Sequence, residues 1–165
     1  MIVLGIDPGY AILGYGVIEV EGSKLKAIDC GVIETTPDMT FPERLERLFA
    51  GTRALIERFR PDNIAFEELF FYRNTTTALQ VAAARGVAIL ACQQAGLPLY
   101  EYTPMQIKLS VTGDGHADKA QMQTMVKLLL KLQKVPKPDD AADALGVAIC
   151  HANAAGPAKA EFLIK

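Results

Sequence analysis

A chain of 165 residues, half of them apolar, 22% charged and with a net charge of −2, has the size and composition of one globular domain built on one core. No apolar run approaches the ~20 residues of a membrane span and the start carries no basic leader, so neither membrane nor export is expected and a cytoplasmic setting follows. Three widely spaced cysteines (Cys30, Cys92, Cys150) and two histidines (His116, His151) exclude a disulfide framework and a Cys/His zinc site, leaving oxygen as the main ligand for any metal.

Ile2 to Ile6 is a short apolar run with β-branched members, the pattern of a buried strand, and Pro8-Gly9 turns the chain directly after Asp7. An acid at the mouth of such a strand is costly to desolvate unless it is paired, hydrogen-bonded or on a metal. Asp7 alone is equally well a turn cap. Its reading as a metal ligand requires partner acids at the ends of neighbouring elements.

Residues 13–20 and 24–35 read as two further strands around Glu21-Gly22-Ser23, giving an antiparallel meander. Thr40-Phe41-Pro42-Glu43 has capping-box spacing, and the apolar periodicity after it predicts an amphipathic helix over 42–59. A strand over 63–71 follows, in which alternation puts Ala65 and Glu67 on one face and Phe66 and Glu68 on the other. Glu67 trails its apolar run much as Asp7 trails its own. Phe70, Phe71 and Tyr72 beyond it form either a hydrophobic cluster or a surface that wedges into or stacks on nucleic-acid bases.

The alanine-rich stretch 74–94, capped by Asn74 or Thr75, predicts a helix that serves the core and offers a close-packing subunit interface. Residues 99–102 are a last short strand. Thr103-Pro104 opens a helix to Thr112 that carries Lys108, and Asp118 begins an amphipathic helix with Lys119 in its first turn. A lysine there is mildly unfavourable to the helix dipole, which suggests another use for it. Asp139-Asp140 open the final helix, and Asp140 and Asp143, three apart, share a face. Asp139 with Asp143 would also share one, and helix capping accounts for Asp139 equally well. Residues 1–155 are expected to form a single domain and 156–165 a loosely held tail.

Residues 1–72 hold 12 acids and 7 bases, whereas residues 73–165 hold 7 acids and 10 bases. The six lysines between Thr103 and Pro138 are either an ordinary solvated helix face or a basic flank beside an acidic pocket, suited to a phosphodiester next to bound cations. The element order describes an α/β domain with a mixed five-stranded sheet flanked by helices. With acids on the first strand, the fourth strand and the C-terminal helix, this is the ribonuclease-H-like arrangement. Repulsion among Asp7, Glu67, Asp140 and Asp143 would be relieved by two divalent ions about 3.5–4 Å apart. Such a pair supports in-line displacement at phosphorus, leaving 5′-phosphate and 3′-hydroxyl ends, with lysines on the phosphate oxygens.

From Ile2 to about His151 the sequence resembles the RuvC family of crossover junction endodeoxyribonucleases, the bacterial Holliday-junction resolvases. The motifs are Leu4-Gly5-Ile6-Asp7-Pro8-Gly9 with Gly14-Tyr15-Gly16, Phe66-Glu67-Glu68-Leu69-Phe70, Ala84-Arg85-Gly86-Val87-Ala88, Lys108, Val111-Thr112-Gly113, Ala117-Asp118-Lys119 and Asp140-Ala141-Ala142-Asp143-Ala144-Leu145. The resemblance implies a catalytic metal-binding tetrad on Asp7, Glu67, Asp140 and Asp143 and catalytic, DNA-contacting lysines on Lys108 and Lys119. It also implies DNA contacts at Phe70, Arg73 and Asn74. It further implies Mg2+, two ions per site with Mn2+ able to substitute, and a homodimer that nicks two symmetry-related strands of a four-way DNA junction beside the RuvA and RuvB branch-migration proteins. Asp114 and His116 in the Gly-x-Gly connection depart from the family pattern.

Rival readings are another ribonuclease-H-like nuclease acting in RNA processing, an actin-like phosphotransferase, and a non-catalytic junction binder. The phosphotransferase needs a second domain that 165 residues do not supply. In a pure binder, four bare acids would repel DNA.

Overall fold

Asp7 closes the middle strand of a five-stranded sheet of order β3-β2-β1-β4-β5. The computed structural model describes residues 1–69, 75–154 and 157–164. β1 (Ile2–Asp7), β2 (Ile12–Glu21) and β3 (Lys24–Glu34) form an antiparallel meander, because their connections are too short for anything else. β4 (Asn63–Glu67) and β5 (Leu99–Tyr102) run parallel to β1, each reached through a helix. The expected mixed sheet is therefore present. The strand foreseen over 63–71 is shorter: β4 ends at Glu67, although the Glu68 amide still donates to the Tyr102 carbonyl at 2.9 Å.

Strand alternation sorts the core into two layers. Leu4, Ile6, Ile64 and Phe66 face α1 (Phe41–Phe59) and α2 (Thr75–Gln94), whereas Val3 and Ala65 face α3 (Pro104–Thr112), α4 (Lys119–Leu129) and α5 (Asp139–Asn153). Asp7 shares the parity of Val3, and Glu67 that of Ala65, so both acids point to the α5 side. Capping sets the helix starts. Glu43 accepts from the Thr40 amide at 2.6 Å, Thr103 and Gln106 cap α3 reciprocally, and Asp118 and Gln121 do so for α4.

α5 is buried along most of its length, from Ala141 and Ala142 through Ala144–His151. It lies unusually close to the sheet because the strands beneath it present glycines. A Cβ added at Gly5 would lie 2.2 Å from the Ala144 carbonyl oxygen, at Gly14 2.2 Å from that of Asp140, and at Gly16 2.7 Å from the Leu145 amide nitrogen. Gly14 is the register partner of Asp7. The same contact that seats the helix therefore brings Asp140 alongside the end of β1.

In the C-terminal segment, a short 3-10 helix (Pro157–Phe162) leads into residues that dock on β5. The Phe162 ring lies 4.8 Å from that of Tyr102, Leu163 bridges to Tyr100, and the Ile164 amide donates to the Leu99 carbonyl at 2.9 Å. These apolar side chains have core to cover and β5 has an open edge to pair, which is why this stretch is attached rather than trailing. Among the described residues no helix is long and apolar enough to cross a membrane.

Candidate active site

Three elements deliver the acids. Ile6 pairs with Phe66, so one step further along these parallel strands Asp7 and Glu67 emerge side by side. Glu67 also pairs with Tyr102 on β5. The Tyr102 hydroxyl lies 2.9 Å from His151 Nδ1, and both side chains are fully buried. Burial, with Lys159 adding to it, pushes the His151 imidazole down to about 3, so the pair is a neutral hydrogen bond tying β5 to α5. That bond fixes the level at which Glu67 meets the helix.

α5 then brings Asp140 and Asp143 over the strand ends. Lys119, at the start of α4, places its Nζ 3.3 Å from Asp143 Oδ2 and 3.3 Å from Asp139 Oδ2. The first-turn lysine thus does have another use. Lys137 Nζ lies 2.6 Å from Asp139 Oδ1. Lys108, on α3, faces the same space from the other side. Glu67, Lys108, Lys119 and Asp143, with Pro104, Ile107 and Met122, line a cavity of about 210 Å³.

Electrostatics link the acids more tightly than the lining alone. The Asp7 carboxyl is pushed up to about 7, by burial first and then by the charges of Asp143 and Asp140, with Lys119 opposing. The Glu67 carboxyl is likewise pushed up to about 7, by burial and then by Asp7 and Asp143, against Lys108 and Lys119. Burial also raises Asp143, against the pull of Lys119. Burial works to lower the Lys119 ammonium, but the charge of Asp143 and hydrogen bonds to Asp139 and Asp143 outweigh it and raise it. Asp139 behaves in the opposite sense to Asp7, Glu67 and Asp143: hydrogen bonds from Lys137, Gln123 and Lys119 hold it at about 2.

Among the described residues no three His, Cys, Asp or Glu side chains are drawn into a closed metal cage. Asp7, Glu67 and Asp143 are instead raised by burial and by the charges of neighbouring acids, the condition that a divalent cation relieves. The donors are all carboxylate oxygen, which suits a hard ion, so these residues fit Mg2+ or Mn2+.

A pH dependence follows. Asp7 and Glu67 rise from ordinary values of 3.8 and 4.5, so above about pH 4 the folded chain keeps protons that the unfolded chain has released. Their contribution to stability is complete at low pH and lost as pH rises through 7. Thermal melts in EDTA should show Tm declining over that window, each kcal/mol moving it by roughly 2–4 °C. Asp7→Asn should flatten the decline, and an unchanged slope would assign the loss to other groups.

Asp7, Glu67, Asp140, Asp143, Lys108 and Lys119 are thus brought to one place. Phe70, Arg73 and Asn74 lie outside the described residues. Sequence reasoning missed Pro104, Ile107 and Met122 as pocket walls. The one advance signal was for Pro104, four positions before Lys108 on the same helix.

The family model for the crossover junction endodeoxyribonuclease RuvC matches residues 3–151. The chain belongs to the RuvC family. RuvC of Brevibacillus brevis is 55% identical over 152 residues, covering 92% of each chain. That of Chloroflexus aggregans is 58% identical over 149 residues, covering 90% of this chain and 91% of its own. Among solved structures, Thermus thermophilus RuvC superposes with a TM-score of 0.87 at 40% identity, over 99% of this chain and 98% of that one. T. thermophilus RuvC in complex with Holliday junction substrate gives 0.85 at 39%, over 93% and 94%. The fold is accordingly ribonuclease-H-like, and the family match spans Asp7, Glu67, Lys108, Lys119, Asp140 and Asp143.

Proposed function

We propose that this RuvC-family protein is a structure-selective endonuclease that resolves four-way (Holliday) DNA junctions in recombination and repair. It does so by paired, symmetric, metal-dependent nicks that leave 5′-phosphate and 3′-hydroxyl ends. The observation that carries the reading is that Glu67 of β4 and Asp143 of α5 line one cavity with Lys108 and Lys119, and that Asp7 of β1 is close enough to feel the charges of Asp143 and Asp140 and to raise Glu67. The solved relative bound to a Holliday junction substrate supports the same substrate class.

Asp7, Glu67, Asp140 and Asp143 would hold two Mg2+ ions, with Mn2+ able to substitute. Bound there, such ions supply Lewis-acid neutralisation of charge at the scissile phosphate. The chain's own residues do the rest. Lys108 and Lys119 contact phosphate oxygens and orient the strand, while Pro104, Ile107 and Met122 keep one wall dry and strengthen those contacts.

The cavity presents Lys108 and Lys119 beside Glu67 and Asp143, a lining suited to a phosphate with bound cations; for DNA contacts beyond it, Phe70, Arg73 and Asn74 are the candidates.

The reading extends to a homodimer with one site per subunit, working in the cytoplasm beside RuvA and RuvB. α2 supports a homodimer by keeping Leu79 and Leu90 exposed, at 75% and 50%, on a helix of small side chains. We assign the nuclease site to residues 1–155; the C-terminal residues that dock on β5 supply no site residue. The test is cleavage of a synthetic junction with a homologous core, beside a linear duplex, in Mg2+ and in EDTA. Ligatable, symmetric nicks in the junction alone and only with metal are expected. Metal-dependent cutting of RNA or RNA–DNA hybrid, with the junction intact, would move the protein to RNA processing.

A further inference from the structure

We propose that Asp139 is a positioning residue that holds Lys119 at the rim of the pocket, and that it is not a ligand for the cations. This rests on the nuclease reading above. Lys119 begins α4, where the helix N-terminus disfavours a cation, so its ammonium needs an anchor elsewhere. It has two, Asp143 Oδ2 and Asp139 Oδ2, both at 3.3 Å. Once Asp143 serves a metal, its charge is shared with that ion and the ammonium is repelled from it. Asp139 is then the anchor that remains.

Asp139 is placed for that part and not for ligation. Asp139 and Asp140 are consecutive, about 100° apart around the helix, so Asp139 points away from its neighbour. Each of its oxygens already has a partner: Oδ1 takes Lys137 at 2.6 Å and Oδ2 takes Lys119. The result is a row, Lys137–Asp139–Lys119, leading from the surface to the pocket. Asp139 is 39% exposed and Lys119 55% exposed, and ion pairs of that kind contribute little to stability. What the row provides is orientation.

The test uses the full chain and four variants: Asp139→Asn, Asp139→Glu, Lys119→Met and the double variant Asp139→Asn with Lys119→Met. Asp139→Asn should lower the single-turnover rate of junction nicking by roughly 10–100-fold, as a misplaced group does. Calorimetric Mg2+ affinity should change by less than about twofold, far under the tenfold that 1.4 kcal/mol would give. Asp139→Glu should restore most of the rate. In the Lys119→Met background Asp139→Asn should add nothing. Independently of activity, the hydrogen-bonded Lys119 ammonium signal in NMR of the Mg2+-loaded protein should persist in the parent and vanish in Asp139→Asn. A tenfold or greater loss of Mg2+ affinity in Asp139→Asn would make Asp139 a ligand and overturn the proposal. Multiplying effects of the two substitutions, or a Lys119 signal indifferent to Asp139, would overturn it too. A parent protein that leaves junctions uncut sinks the nuclease reading instead, and the NMR comparison still decides whether Asp139 holds Lys119.

Discussion

Asp7→Asn should abolish junction nicking while leaving junction binding intact and making the metal-free protein more stable at pH 8. The three outcomes have one cause. Asp7 is a partly buried acid whose ionisation is opposed by desolvation and by Asp143 and Asp140, and it in turn opposes that of Glu67. An amide of the same shape removes that repulsion, so the melting temperature in EDTA rises. It also removes negative charge from a surface that must approach phosphodiesters, so binding without metal is not weakened. What is lost is an oxygen ligand of the cation site. Metal-derived charge stabilisation is worth several kcal/mol, and at 1.36 kcal/mol per tenfold its loss lowers the rate by roughly 10³-fold. Gel-shift, nicking and melting measurements on one preparation decide the matter. Nicking at the parent rate would remove Asp7 from the site, and a lowered melting temperature would mean that its role is structural.

Gly5→Ala should be the most damaging small substitution in the sheet. The new Cβ would sit 2.2 Å from the Ala144 carbonyl oxygen and 2.7 Å from the Ala148 amide nitrogen. Both are backbone atoms in a helix, so neither can turn aside as a side chain would. α5 must move outward as a body, and overpacking of this kind costs about 3 kcal/mol or more, a large share of the 5–15 kcal/mol typical of a domain. Because α5 carries Asp140 and Asp143, the surviving folded fraction should also nick more slowly, by about 10²-fold for a shift near 1 Å. Gly22→Ala is the control. Its φ of +60° strains any side chain, but nothing lies within 4 Å, so it should cost about 1 kcal/mol and leave nicking untouched. Urea midpoints for the two variants that agree within error would overturn the close-packing account.

The acids were legible because each stands where its surroundings make it conspicuous. Asp7 and Glu67 end apolar runs, and Asp143 interrupts an alanine-rich helix face. The meander was legible from its short turns. By contrast, nothing local in β1 or β2 says which helix will lie on Gly5, Gly14 and Gly16. That pairing spans most of the chain, and the glycines mean close approach only once α5 is known to cover them. The Tyr102–His151 bond joins residues 49 positions apart and was hidden for the same reason. Helix spacing favours Asp140 over Asp139 as a ligand, although Asp139 also shares a face with Asp143. Their different partners separate them, with Lys119 and Lys137 on one and the Gly14 contact beside the other.

The position of α5 in the chain has a consequence for synthesis. The meander and β4 emerge from the ribosome first and can begin to pair, because domains assemble as the N-terminal part appears. A nascent chain at that stage displays Asp7 and Glu67 but has not yet produced Asp140 or Asp143, which arrive with the last long helix. The two halves of the acidic set meet only when α5 closes over the glycine track. A chain still being translated, or truncated before residue 139, therefore lacks two of the four acids proposed to hold the cations, and on that reading DNA-cutting capacity comes into being only with the finished fold.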